Sequence, residues 1–378
     1  MPFAAALSIH PDPATAVAEA AGQVLEAIGP DVDLAVFFVT AAHAVFTDEV
    51  ADVVRAVLHP GTLLGATAVS VLANGAEIED SAGIALWAGR FGAVTPIRFG
   101  KEEYAMADSS FPKGLVVLGD PFSFDAEAAF AAVEARWPGM PVIGGMASAA
   151  RLPGGNRLVL DDDVFADGAV GAFLGEGIDV EVVVSQGCTP IGRPWSVTKA
   201  ERNVVHELAG RPPMARLAEL AQHELTEDEV ATVDGGGLHV GRVVDEHQAE
   251  FKRGDFLVRN VVGASRRDGW IAINDQVEVG DTLQYHLRDA ETADDDLRAL
   301  LGGKEADAAL VFTCNGRGIN LFGEPDHDAR VVAEYLGRPA AAGLFCAGEF
   351  GPIGGRNFVH GFTASIALLR EARVGSDR

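Results

Sequence analysis

Between Gly343 and Ser365 the chain reads GLFCAGEFGPIGGRNFVHGFTAS, with a Cys, a Glu, an Arg, an Asn, a His and a Thr set among six glycines. Cys346 or Glu349 with His360 has the residue types of a nucleophile and its base. Glu349, Asn357 and His360 are also the types that receive an amine or a hydroxyl. A second stretch, TCNGRG at 313–318, offers Cys314, Asn315 and Arg317 directly after an apolar run. An arginine there could grip a carboxylate through two parallel hydrogen bonds. The plain alternatives stand beside these readings. The first stretch could be a tight hairpin, Arg317 a solvated turn residue, and each cysteine a small buried hydrophobe.

Other polar groupings carry less. Asp161-Asp162-Asp163, Asp294-Asp295-Asp296 and Asp326-His327-Asp328 have neither EF-hand nor HExxH spacing and read as solvated. GCTPIGRPW (187–195) reads as a structural corner. Cys188, Cys314 and Cys346 form no CxxC and no zinc pattern, so reduced thiols fit best. There is no GxxxxGK, and no GxGxxG after a strand, so nucleotide binding has no support. No cofactor and no metal are expected.

The elements that must position these residues repeat. A β-α-β-β order runs through 33–89 and returns through 114–174 and 307–369, each time with a glycine early in the second strand: Gly65, Gly144 and Gly343. Gly65 to Gly83 and Gly343 to Gly361 share a spacing of 18. Between the second and third copies, Thr198-x-x-Glu201 predicts a capped helix over 199–209, and Thr226-x-x-Glu229 a second cap. Residues 238–288 alternate as an antiparallel β meander. DGGG at 234–237 is the best linker. The fold class is therefore mixed α/β: repeated β-α-β-β units forming mixed sheets packed with helices, plus the meander.

The chain has 378 residues, 48% of them hydrophobic, and a formal charge of −26. That charge argues against nucleic acid or an anionic membrane as partner. No apolar run approaches the ~20 residues of a membrane span, and the N-terminus lacks a basic signal-peptide start. The chain is thus expected in the cytoplasm.

Four stretches carry a resemblance to a known family: 184–212, FLVRNVVGA (256–264), ALVFTCNGRG (309–318) and 341–365. The sequence is similar to the FIST family, with a FIST-N-like half at 1–222 and a FIST-C-like half at 223–378. The resemblance implies a sensory domain that binds small ligands, amino acids among the candidates, and that elsewhere accompanies kinase, chemoreceptor, cyclic-dinucleotide or F-box modules. Phe350 departs from the aliphatic residue expected there. Only EARVGSDR follows residue 370, so the signal is expected to pass to a separate protein partner.

The leading expectation is a ligand-binding sensor using Cys314, Asn315, Arg317, Cys346, Glu349, Asn357, His360 and Thr363. A hydrolase or lyase built on Cys346 or Glu349 with His360 is the alternative, and an interaction scaffold the third. If the first two strands of the third copy are parallel neighbours, the TCNGRG loop and the 348–360 loop leave one sheet edge. Cys314 and Cys346 are expected to be buried thiols without a catalytic role. Arg317→Ala is expected to abolish carboxylate binding at little cost to stability.

Overall fold

Runs such as LAVFFVT are apolar on both alternations, which suits strands covered on both faces; the helices between them carry one apolar face each. The computed structural model describes residues 2–100, 112–248 and 250–372. A leading strand β1 (Phe3–Ser8) and helix α1 (Pro13–Ile28) precede the first repeat. Asp12 caps α1 by accepting from Thr15 N at 2.9 Å. The repeat comprises β2 (Leu34–Thr40), α2 (Thr47–Leu58), β3 (Thr62–Ala68), a hairpin of β4 (Val71–Ala73) and β5 (Ala76–Ile78), and β6 (Ile84–Gly89). The second repeat follows β7 (Val94–Phe99). It has β8 (Gly114–Gly119), α3 (Ala126–Arg136), β9 (Val142–Met146), a hairpin of β10 (Leu158–Leu160) and β11 (Asp163–Phe165), and β12 (Ala169–Leu174).

After β13 (Ile178–Ser185) come β14 (Thr189–Glu201), β15 (Val204–Leu208), α4 (Pro213–His223) and α5 (Glu227–Thr232). They are followed by β16 (Leu238–Val243), β17 (Phe256–Ala264), β18 (Ile271–Ile273), β19 (Thr282–Leu287) and α6 (Ala290–Leu301). The third repeat is β20 (Ala308–Cys314), α7 (Ile319–Phe322), α8 (His327–Tyr335), β21 (Ala340–Cys346), a hairpin of β22 (Glu349–Ile353) and β23 (Arg356–His360), and β24 (Ala364–Glu371).

The chain forms two compact units, Met1–Val184 with Arg298–Arg378, and Ser185–Leu297. The third repeat folds in one unit with the first two. In each repeat the first two strands pair in parallel and the last runs antiparallel to the first. The strand before each of the first two repeats pairs with that repeat's last strand, and in the third sheet β13, which precedes the barrel, pairs with β24. Each hairpin, however, leaves its own sheet. The β4–β5 hairpin adds to β21, β10–β11 to β3, and β22–β23 to β9. The result is three six-stranded sheets of one topology, each completed by a hairpin from another repeat. Asn74 (φ 48) and Gly75 (φ 89) make the first of these hairpin turns, as an Asn-Gly pair does in a type I′ turn.

Gly65, Gly144 and Gly343 lie opposite Phe37, Val117 and Val311, the same register position in each sheet. The equal spacing read from the sequence is a coincidence. Thr40 N, Asp120 N and Cys314 N donate to Gly83 O, Gly168 O and Thr363 O, so Gly83 corresponds to Thr363 and not to Gly361. Alternate residues of the central strands meet in one core: Val36 and Phe38, Val116 and Leu118, Leu310 and Phe312. Their neighbours face outward, Phe37 and Val39 against α1 and α2, and Leu115 and Val117 against α3.

The second unit holds a closed antiparallel barrel in the order β14-β15-β18-β17-β16-β19. The helix expected over 199–209 is instead the hairpin β14–β15, turned at Arg202 (φ 56). Trp195, Val197, Val205 and Leu208 are needed inside the barrel, and that burial outweighs a four-residue capping pattern. Thr198 Oγ1 accepts from Gly210 N at 2.9 Å and caps no helix. Thr226 does cap α5, with Glu229 reciprocating. The corner expected at 187–195 is the start of β14, with a register shift between Ile191 and Trp195. DGGG links α5 to β16 inside this unit and joins no compact units.

Candidate functional site

Strands β20 and β21 end side by side, with Thr313 opposite Phe345 and Cys314 opposite Cys346. Both glycine-rich loops therefore leave the same sheet edge. Asn315 N donates to Cys346 O and Cys314 N to Thr363 O, each at 2.9 Å. Thr363 donates to Glu349 Oε2 from its N at 3.2 Å and its Oγ1 at 2.8 Å. Glu349 is opposite His360 across β22–β23, and His360 Nε2 bonds Gly351 O at 2.9 Å. Cys314, Cys346, Glu349, His360 and Thr363 are thus brought together and buried, with Asn315 exposed on the rim. Asn357 is not among them. It fastens the hairpin to the second repeat, accepting from Val142 N and donating to Met140 O, both at 2.8 Å.

Arg317 corrects the sequence reading most. It is neither a solvated turn residue nor a ligand grip, for its side chain is 0% exposed. Its fork already holds a carboxylate of the protein, Nε to Asp328 Oδ2 at 2.7 Å and Nη2 to Asp328 Oδ1 at 2.8 Å. Thr313 Oγ1 donates to the same carboxylate at 2.5 Å, and His327 Nδ1 lies 3.0 Å from it. Phe322 stacks on His327, with ring centroids 3.3 Å apart, and receives the Arg317 guanidinium at 5.1 Å. Burial pushes the Asp328 carboxyl up, but the Arg317 charge and these hydrogen bonds hold it well below the usual carboxylate range. Arg317 Nη1 is buried and finds no hydrogen-bond partner among the described residues. Arg317→Ala is therefore costly to stability, not cheap.

Of the acidic runs read as solvated, Asp328 and Asp296 are buried. Asp296 accepts from Ser185 Oγ at 2.8 Å and from Gly187 N at 3.3 Å. Asp161 and Asp162 form the two-residue turn of β10–β11. No group of three or more metal-ligating side chains occurs among the described residues.

Sequence reading missed three members of the site. Asp328 carried a signal, since it shares its helix face with the buried Val331 and Val332. Glu77 and Glu79 carried none, because they arrive on the hairpin of the first repeat. Glu77 Oε1 accepts from Ala329 N at 2.9 Å, in the first turn of α8, and Glu79 accepts from Ile319 N at 3.0 Å.

Burial, and then the Asp328 charge, raises the Glu77 carboxyl to about 8. The folded chain keeps this proton where the unfolded chain, at its ordinary value of 4.5, has lost it. Its contribution to stability is whole below the unfolded value, falls as pH rises, and is gone above the folded value. Unfolding free energies from about pH 5 to about pH 8 should fall more steeply in the wild type than in Glu77→Gln, by on the order of 2–4 kcal/mol over the range. Parallel curves would contradict the burial of this carboxyl.

The family model for the FIST N domain matches residues 33–211, and that for the FIST C domain matches 214–352. The chain belongs to the FIST family. FIST domains are sensory signal-transduction domains. Over 386 aligned positions the chain is 41% identical to an uncharacterized protein of Mycobacterium bovis, covering 95% of this chain and 96% of that one. A second uncharacterized protein, from Mycobacterium tuberculosis, is 38% identical over 389 positions, covering 96% and 98%. The FIST N match takes in the first two repeats and the opening strands of the barrel. The FIST C match takes in the rest of the barrel and the third repeat as far as Pro352. No helix among the described residues is long and apolar enough to cross a membrane.

Proposed function

We propose that this FIST chain senses a small ligand at the edge where β20 and β21 end, and that the ligand is an amino acid or a related small carboxylate. The observation that carries the reading is the parallel register of Cys314 with Cys346, which sends both polar, glycine-rich loops from one edge. Asn315 is the exposed member, with an amide that both donates and accepts. The partly buried Glu79 carboxylate borders the same loop. An ideal Cβ on Gly318 would lie 2.6 Å from it, so the loop closes against Glu79 only through a glycine. A zwitterion needs both kinds of partner. Arg317 and Asp328 lie beneath the loop and fix its shape.

A thermal-shift screen of the full chain with amino acids and small carboxylates tests this. A ligand at 100 times its Kd should stabilise the chain by about 2.7 kcal/mol. Asn315→Ala should remove the shift and leave the unliganded midpoint unchanged, because an exposed side chain adds little to stability. The reading fails if no compound shifts the midpoint, or if the shift survives in Asn315→Ala.

A further inference from the structure

Cys314 and Cys346 lie 32 positions apart in sequence but are direct register partners on adjacent strands. Neighbouring strands run about 4.7–4.9 Å apart, inside the roughly 4.4–6.8 Å between α-carbons that a disulfide spans. Both side chains leave the same face of the sheet. Cys346 follows Leu344 by two residues and Cys314 follows Phe312 by two, and Leu344, Cys346 and Phe312 share the central core. All three cysteines are thiols in this structure. Cys314 keeps 8% of its surface exposed at the loop, whereas Cys346 keeps none. The second thiol is seated tightly. An ideal Cβ on Gly145 would lie 2.3 Å from Cys346 Sγ, so only glycine leaves it room. Of the two, Cys314 is therefore the thiol that a small oxidant reaches first.

We infer that Cys314 and Cys346 form a redox-sensitive dithiol, with Cys314 the site of attack and Cys346 the resolving thiol, and that its oxidant is a hydroperoxide. The Cys314 sulfur attacks the distal peroxide oxygen. The O–O bond breaks, Cys314 becomes a sulfenic acid, and the other oxygen leaves as an alcohol, or as water from hydrogen peroxide. Cys346 then attacks the sulfenic sulfur, an S–S bond forms, and the hydroxide leaves as water with the Cys346 proton. Two thiols have been oxidised and one peroxide reduced. Burial, the Glu349 charge and Cys314 raise the Cys346 thiol well above its ordinary value, so it stays protonated and shielded until its proton leaves with the sulfenic hydroxide; its register position makes Cys314 its partner. The cross-link would tie together the strand ends from which both loops leave.

The test is peptide mapping of the full chain after hydrogen peroxide and alkylation under denaturing conditions. The expected product is one cross-linked species joining the peptides that hold Cys314 and Cys346, with Cys188 alkylated. Dithiothreitol should reverse it. Cys188→Ser should keep it, and Cys314→Ser and Cys346→Ser should each lose it. The wild-type map decides the matter even if a variant fails to fold. Cys314 advancing to sulfinic acid while Cys346 is alkylated would overturn the inference. So would recovery of both thiols unmodified from folded, peroxide-treated chain. The map reads a covalent bond and the thermal-shift screen reads ligand binding, so either can fail without the other.

Discussion

Asp328→Ala destabilises the protein by about 3–5 kcal/mol in urea unfolding, the range for breaking a buried ion pair by removing one partner. The loss is large because the Arg317 cation left behind has no route to water: both side chains are 0% exposed. Thr313 and His327 lose their acceptor at the same time. Arg317→Ala strands the carboxylate instead and should cost a similar amount. The double variant Arg317→Met with Asp328→Leu should be more stable than either single one, because two apolar residues leave no uncompensated charge. The measurement is the urea midpoint and slope of all four proteins. Single variants within about 0.5 kcal/mol of wild type would mean that the pair is not buried as described.

Gly144→Ala and Gly343→Ala should be more damaging still. At each, an ideal Cβ falls 1.8 Å from the carbonyl oxygen of the facing strand, Val117 O or Val311 O. No rotamer relieves an overlap with backbone, so β9 or β21 must move off its parallel partner. That displaces the hairpin bound on its other side as well. We expect a cost above about 4 kcal/mol for each, seen as a loss of the cooperative thermal transition or of soluble protein. Gly22→Ala supplies the contrast. It lies in α1, nothing falls within 4 Å of its ideal Cβ, and alanine there should stabilise by about 0.5–1 kcal/mol. Similar effects at Gly22 and Gly343 would refute the packing argument.

The repeats were legible because their strands are apolar on both alternations and punctuated by glycine at one register position. The shared edge of the two loops was legible for the same reason, since parallel strands that start together end together. What failed were local patterns read without their tertiary setting. Thr198 and Glu201 match a capping box, yet the barrel needs Val197 and Val205 inside. Arg317 has the form of a ligand grip, but Asp328, on the next long helix, reaches it first. Glu77 could not be placed by any pattern, because it belongs to the site only through a hairpin that crosses from one repeat to another.

That crossing has a consequence for how the molecule holds together. The first repeat lends its hairpin to the third, the third to the second, and the second to the first. Each repeat is therefore both donor and acceptor in a closed cycle. Deleting one leaves two defects, a hairpin without a receiving strand and a sheet edge without a hairpin. No single repeat can finish its own sheet, whereas three separate copies of one could finish one another's. In its pattern of strand exchange, the unit is a cyclic trimer written into one polypeptide.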